Sequence, residues 1–224
     1  ERVSRPVSGT RPCAVFMDYE AATRREHPAA RKAVKLSGVS MLKDVKDARP
    51  NKEEMRQLQE VISRVHRQCT AEEKHLLFRF RYRITDNKAA LTKLLYSADW
   101  SDRDEREVAL EMLKVWTPVD IDAALELLGK DFTCVTEVRA YAVERLREAS
   151  EEELRLYLLQ LVQALRYEEP HHAPLADFLI ERALLSAPLA NYFFWYLTAE
   201  GTEGDNEAIF QRPLQKFLEG MQAS

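Results

Sequence analysis

The sequence predicts an all-α fold, a right-handed α-solenoid of about ten helices stacked as antiparallel pairs. Three observations predict it. Helix start signals recur densely from Asn51 onward. Two segments, 153–168 and 189–198, are too apolar for a surface helix, yet shorter than the roughly 20 residues a membrane span takes. The chain has only 6 Gly and 9 Pro in 224 residues, too few for the many tight turns of a β-sandwich or barrel.

The elements follow in order. Residues 1–15 hold Pro6, Gly9 and Pro12 with little periodicity and read as a loop or the tail of an upstream domain. The stretch Pro28-AARKAVKL predicts a short basic helix that stops at Ser37-Gly38, and residues 44–50 read as polar linker. Thereafter helices are expected at 52–68, 71–84, 87–98, 102–116, 120–129, 136–148, 151–168, 174–186, 188–200 and 205–221. Asn51 with Glu54, Thr70 with Glu73, and Ser150 with Glu153 fit the capping box, in which an N-cap side chain is answered three residues later by Glu. Ser101, Asp120 and Thr136 are further start signals. Links this short make successive helices antiparallel.

One run competes with this reading. Phe78-Arg79-Phe80-Arg81-Tyr82-Arg83 alternates apolar and basic residues, which is a strand pattern. The helix reading is preferred because the run follows a capping box, Leu76, Leu77, Phe80 and Ile84 keep helical spacing, and no second strand is available as partner. In the segment 151–168, Leu154, Leu158, Leu161, Val162 and Leu165 line one helical face, while Leu156, Tyr157 and Leu159 make the other face apolar too. A helix apolar nearly all round is expected inside a stack of others. The five rings Tyr192 to Tyr196 must cover more than one helix face, so Trp195 is expected in the core. Ala90, Ala109 and Ala124 each open an Ala-Leu pair that runs to an aromatic near a helix end, a weak echo that suits stacked repeats.

Composition excludes several functions. The formal net charge of −4 gives no support for nucleic-acid binding, although Arg24, Arg25, Arg31, Lys32 and Lys35 make the N-terminal segment basic and residues 102–169 are acidic. The six glycines assemble neither a dinucleotide fingerprint nor a P-loop. Cys13, Cys69 and Cys134 are odd in number and far apart, which predicts a reducing compartment rather than a disulfide framework or zinc site. No signal peptide or membrane-spanning run is visible. The chain starts at Glu1 rather than Met, which predicts a piece of a longer protein.

The candidate chemistry resolves to ordinary roles, and no catalytic, cofactor-binding or metal-binding residue is assigned. His171-His172 lies between two helices and lacks further ligands, so a loop without a duty is expected. His66, Cys69 and His75 clamp a metal only if Thr70 opens a tight hairpin. Asp102, Asp104, Glu105 and Glu107, like Glu151, Glu152 and Glu153, stand in first helical turns, where the helix dipole and water account for them. Gln160 and Gln163, if buried, must be hydrogen-bonded and then fix the register of a neighbour.

Six blocks in order carry a resemblance: Leu77-FRFRYRIT, Ala90-LTKLL through Asp99-Trp100, Trp116-TPVDIDAALELL, Val138-RAYAVERL, Tyr157-LLQLVQALRYE and Leu189-ANYFFWYL. Together they resemble the helical accessory domain of the phosphoinositide 3-kinases, most closely the class III form. His27-PAARKAVKLSG loosely resembles the segment leaving the class III C2 domain. The resemblance implies that residues 1–50 are a linker or C2-domain tail, that 51–224 form the helical domain, and that a lipid kinase domain follows. The parent is then expected to phosphorylate phosphatidylinositol at its 3-hydroxyl, using ATP with magnesium or manganese held in the kinase domain, while this segment is expected to be non-catalytic. Its expected contacts are the C2 and kinase domains of the same chain. A regulatory pseudokinase subunit and autophagy or endosomal adaptor subunits are expected in the complex, which is cytoplasmic and peripheral to endosomal and autophagic membranes. The alternatives are a free-standing helical interaction scaffold and the same domain of a class I or II enzyme.

Overall fold

The computed structural model describes residues 48–64, 69–169, 172–202 and 207–223. The expected basic helix from Pro28 and the expected linker up to Asp47 lie outside the described residues. Ten α-helices occur among the described residues: α1 (Lys52–Ser63), α2 (Ala71–Arg79), α3 (Lys88–Ser97), α4 (Arg103–Val115), α5 (Ile121–Leu127), α6 (Thr136–Leu146), α7 (Glu151–Ala164), α8 (Pro174–Leu184), α9 (Ala187–Gly201) and α10 (Glu207–Ala223). Three short 3₁₀ turns, Arg81–Arg83, Lys130–Phe132 and Leu165–Tyr167, follow α2, α5 and α7.

Local chemistry starts these helices. The three capping boxes form, each with the N-cap side chain on the N3 amide and the N3 glutamate back on the N-cap amide. Asp102, rather than Ser101, caps α4 by accepting from the amides of Asp104 and Glu105. Val135, rather than Thr136, is the N-cap of α6, with no side-chain cap bond. Ser186 caps α9, and Pro174 opens α8.

The alternating run after Thr70 is helical and then tightens, since α2 ends at Arg79 and a 3₁₀ turn carries Arg81–Arg83. No strand occurs among the described residues; the one bridge pairs Glu169 with His172. The expected single helix 151–168 likewise ends as α at Ala164 and closes with a 3₁₀ turn.

Helices pack on chain neighbours, as α1 on α2, α5 on α6 and α9 on α10, and on the next but one: α1 with α3, α3 with α5, α4 with α6, α6 with α8, α7 with α9, and α8 with α10. That is the pairing of a solenoid, in which each unit buries its apolar face on the one before. One continuous core runs from Leu58 to Phe217. Ala90, Ala109 and Ala124 are all fully buried within it, so the echo in the sequence marks equivalent core positions. Its aromatics meet as well: Trp100 and Tyr96 lie 6.1 and 4.8 Å from Phe132, ring centre to ring centre. On α10, a Cβ added to Gly220 would stand 2.8 Å from Leu184 of α8, so these two helices approach closely there.

Two burial expectations are corrected. The predicted face of α7 is inward, with Leu154, Leu158, Leu161, Val162 and Leu165 buried, but Leu156 is 73% exposed and Leu159 is exposed as well. In α9 only Leu189, Phe193 and Leu197 are buried, and Trp195 is 60% exposed. Both helices sit in the wall of the stack rather than at its centre, so each has one inward face.

Candidate functional site

The polar side chains of the sequence blocks converge on the ends of helices. Helix ends leave backbone groups without intrahelical partners, and a buried end needs a side chain to satisfy them. Arg139 of α6 is nearly buried and donates to the carbonyl of Leu128 at the end of α5 (2.7 Å) and of Ala164 at the end of α7 (3.4 Å). A cation there complements the negative end of each helix. Glu168 accepts from the amides of Leu175 (2.8 Å) and Ala176 (3.1 Å) in the first turn of α8, where an anion is favoured. The two charges lie 3.9 Å apart, and only 4% of either side chain is exposed. Burial pushes the Glu168 carboxyl above its ordinary pKa, against the two amide bonds and the Arg139 charge. Burial also lowers the Arg139 pKa, opposed by Glu168.

The same logic runs through the rest of the Val138–Leu146 block. The Val119 amide donates to the Tyr141 hydroxyl (3.2 Å), and Arg145 donates to the Val119 carbonyl (3.2 Å). Both clasp the link between α4 and α5. The Trp116 indole donates to the Asn87 carbonyl at the start of α3 (2.8 Å), and the Trp100 indole donates to the Leu95 carbonyl (3.2 Å). Arg182 of α8 reaches the Ala149 carbonyl before α7 (3.2 Å).

Other predicted candidates are dispersed. Asp102 is a cap; Glu105 binds Lys74 at 2.7 Å and accepts from the Asp99 amide; Asp104 and Glu107 face water. Within the triplet Glu151–Glu153, the first accepts from the Ser186 hydroxyl and the third completes the α7 capping box. Gln160 is exposed, and Gln163 is exposed and donates to Glu200 of α9 (2.8 Å), so neither is a buried register pin. His172 is exposed beside its bridge to Glu169. His66 and His171 lie outside the described residues. Burial pushes the Cys69 thiol up and, with the Arg79 charge, the His75 imidazole down. No group of three His, Cys, Asp or Glu among the described residues is placed to hold a metal ion.

Sequence reasoning missed the Arg139–Glu168 pair and treated the link from Glu168 as a loop without a duty. Glu168 instead caps α8. A signal was available: Arg139 sits in the stripe Val138, Ala142, Val143 and Leu146, all buried, and a charge inside an apolar stripe implies a partner.

A family model described as the phosphoinositide 3-kinase family accessory domain (PIK domain) matches residues 46–224. Phosphatidylinositol 3-kinase pik3 of Schizosaccharomyces pombe is 43% identical over 190 residues, which cover 78% of this chain and 24% of that protein. The root isoform of phosphatidylinositol 3-kinase from Glycine max is 38% identical over 198 residues, covering 87% of this chain and 24% of its own. Phosphatidylinositol 3-kinase VPS34 of Arabidopsis thaliana is 36% identical over 201 residues, covering 88% and 24%. The chain thus spans about a quarter of the length of these relatives. With the helix-to-helix fastening of the sequence blocks described above, the match over residues 46–224 means that this chain belongs to the phosphoinositide 3-kinase family, in its accessory domain.

Proposed function

We propose that these residues are the non-catalytic helical scaffold of a class III phosphatidylinositol 3-kinase. In this reading residues 1–50 lead in from a C2 domain, and a kinase domain follows. The parent transfers the γ-phosphoryl of ATP to the 3-hydroxyl of phosphatidylinositol, with magnesium or manganese, on endosomal and autophagic membranes. A pseudokinase subunit and adaptor subunits complete the complex. The relatives' names supply the activity.

The observation that carries the scaffold role is the use to which the block residues are put. Phosphoryl transfer takes cradled phosphates, a metal held by carboxylates and a positioned base. Here Arg139, Tyr141, Arg145, Trp116 and Glu168 are engaged with backbone groups of neighbouring helices. Groups committed to helix ends stiffen the helix stack, and stiffness is what a spacer between two domains supplies.

The test is an assay of the purified chain for transfer of labelled phosphate to phosphatidylinositol vesicles, beside calorimetric titration with ATP and magnesium. No turnover and no saturable heat are expected. Stoichiometric nucleotide binding would overturn the scaffold reading, and turnover would overturn the non-catalytic assignment.

A further inference from the structure

A cavity of about 370 Å³ lies between the 3₁₀ turn after α7, the first two turns of α8 and the first half of α10. That is the low end of the range for small-molecule sites, about 300–1,000 Å³. Its walls are apolar: Leu165, Ala176, Ile180 and Pro213 line it and are buried. Its mouth is polar. Glu169, Asp177, Arg212 and Lys216 line it and are exposed, two of each sign, and Lys216 is bound to Asp177 at 2.6 Å. The formal charges at the mouth therefore cancel.

Inside, the sign is set by Glu168, which lines the cavity with 4% of its side chain exposed. The two amide bonds from α8 fill about half of the acceptor sites of a carboxylate. Arg139 stands 3.9 Å away, beyond hydrogen-bond reach, and gives its bonds to the carbonyls of Leu128 and Ala164. Burial still raises the Glu168 pKa, so these partners leave its charge short of stabilisation. Helix α10 adds a second acceptor. Pro213 stands inside that helix without an N–H, so the Ile209 carbonyl lacks the donor it would find four residues on, and both residues line the cavity.

A molecule that suits this cavity carries positive charge and hydrogen-bond donors at one end and an apolar body at the other. A metal ion makes no use of the apolar walls, and an anion meets the buried Glu168 charge with repulsion. We propose that the cavity is a binding site for a small organic amine, its ammonium on the open acceptor sites of Glu168 and its apolar body against Leu165, Ile180 and Pro213. An ammonium has three donors, enough for Glu168 and the Ile209 carbonyl together. A ligand seated there touches the end of α7, α8 and α10 at once, so it stabilises the folded chain by mass action. The site is an addition to the scaffold reading and does not depend on it.

Calorimetric titration of the chain at neutral pH with three probes of one shape tests the proposal: phenethylamine, 2-phenylethanol and 3-phenylpropanoate. Phenethylamine is expected to bind saturably at one site, about tenfold or more tightly than the alcohol or the acid, because only its bond to Glu168 joins opposite charges. Glu168→Gln, which still accepts the two amide bonds, is expected to weaken it by a similar factor. Ala208→Phe fills the mouth from an exposed position on α10 and leaves Glu168 in place. It is expected to abolish amine binding without shifting the thermal midpoint of the free chain, and it decides the matter even where Glu168→Gln fails to fold. No saturable binding of phenethylamine overturns the proposal. Equal binding of the alcohol overturns it, because charge then plays no part. Tighter binding of the acid overturns it in favour of an anion held at Arg212 and Lys216. Amine binding that survives either substitution lies elsewhere on the chain and overturns it too.

Discussion

At the junction of α6, α7 and α8 two opposite charges are sealed from water, whereas on the outer side of α7 and α9 large apolar groups stand in it. Arg139 and Glu168 keep only 4% of their side chains exposed; Leu156 keeps 73% and Trp195 60%. Residue polarity alone predicts the reverse. What decides burial is the company each position keeps. The charges sit where three helix ends meet, and each carries hydrogen bonds that the buried backbone needs. The leucine and the tryptophan sit on the faces of wall helices that no other described helix covers. The inner junction is therefore expected to be costly to disturb and the outer face cheap.

The largest effect is expected at the junction. Arg139→Ala leaves Glu168 buried without its counter-charge and strips the carbonyls of Leu128 and Ala164 of their donor. It should lower the unfolding free energy by about 3–5 kcal/mol in chemical denaturation, the usual cost of removing one partner of a buried pair. A loss below about 1 kcal/mol would break the comparison at its inner end, since the junction would then be no more demanding than a surface ion pair. Phe193→Ala, at a fully buried ring packed edge-on against Phe217 at 5.4 Å, belongs to the same size class of about 3–5 kcal/mol.

Glu168→Gln is gentler, because the amide oxygen still accepts from α8, and it sharpens the comparison through pH. Burial raises the Glu168 pKa, so protonation is easier in the folded state than in the unfolded chain. Its stabilising contribution is therefore fully present below the ordinary glutamate pKa and is lost as pH rises through the raised value. The stability of the native protein minus that of Glu168→Gln should fall as pH rises above the ordinary glutamate range in a series of denaturation curves. Glu137 runs the other way. A hydrogen bond from Arg106 lowers its pKa, so its contribution is present above the ordinary range and lost on acidification. A difference between native protein and Glu168→Gln that rises with pH would mean that Glu168 behaves like this surface acid.

Below these comes Ser150→Ala, which removes the N-cap of α7 and should cost about 1 kcal/mol. This prediction concerns a feature that the sequence alone made legible. The boxes at Asn51, Thr70 and Ser150 are complete within four residues, so no knowledge of the fold was needed to find them. The inward face of α7 was legible for the same reason, being a matter of spacing along one helix. The choice between its two apolar faces was not, because it depends on α9 and α5 lying beside it. The Arg139–Glu168 junction was half legible. An arginine inside an apolar stripe announces a partner, but the partner lies beyond another whole helix, and the carbonyls that Arg139 serves exist as free acceptors only once α5 and α7 have ended where they do.

The smallest effect is expected at the outer end of the comparison, and it is the most discriminating. Trp195→Ala should change the stability of this chain by no more than about 0.5 kcal/mol, the range of surface substitutions away from special features. Trp195 touches Phe194 edge-on at 5.3 Å, and the one stacked pair beside it, Tyr192 on Tyr196, does not involve it. Two residues away, Phe193→Ala removes the same kind of group and costs several times more. The ratio of the two is the measure of one-sidedness in α9, and denaturation of both variants under one condition gives it directly. A Trp195→Ala loss as large as that of Phe193→Ala would place the indole inside the core and restore the apolar-all-round reading of these helices. A small loss leaves the outer face of α9 free of any part in holding the solenoid together.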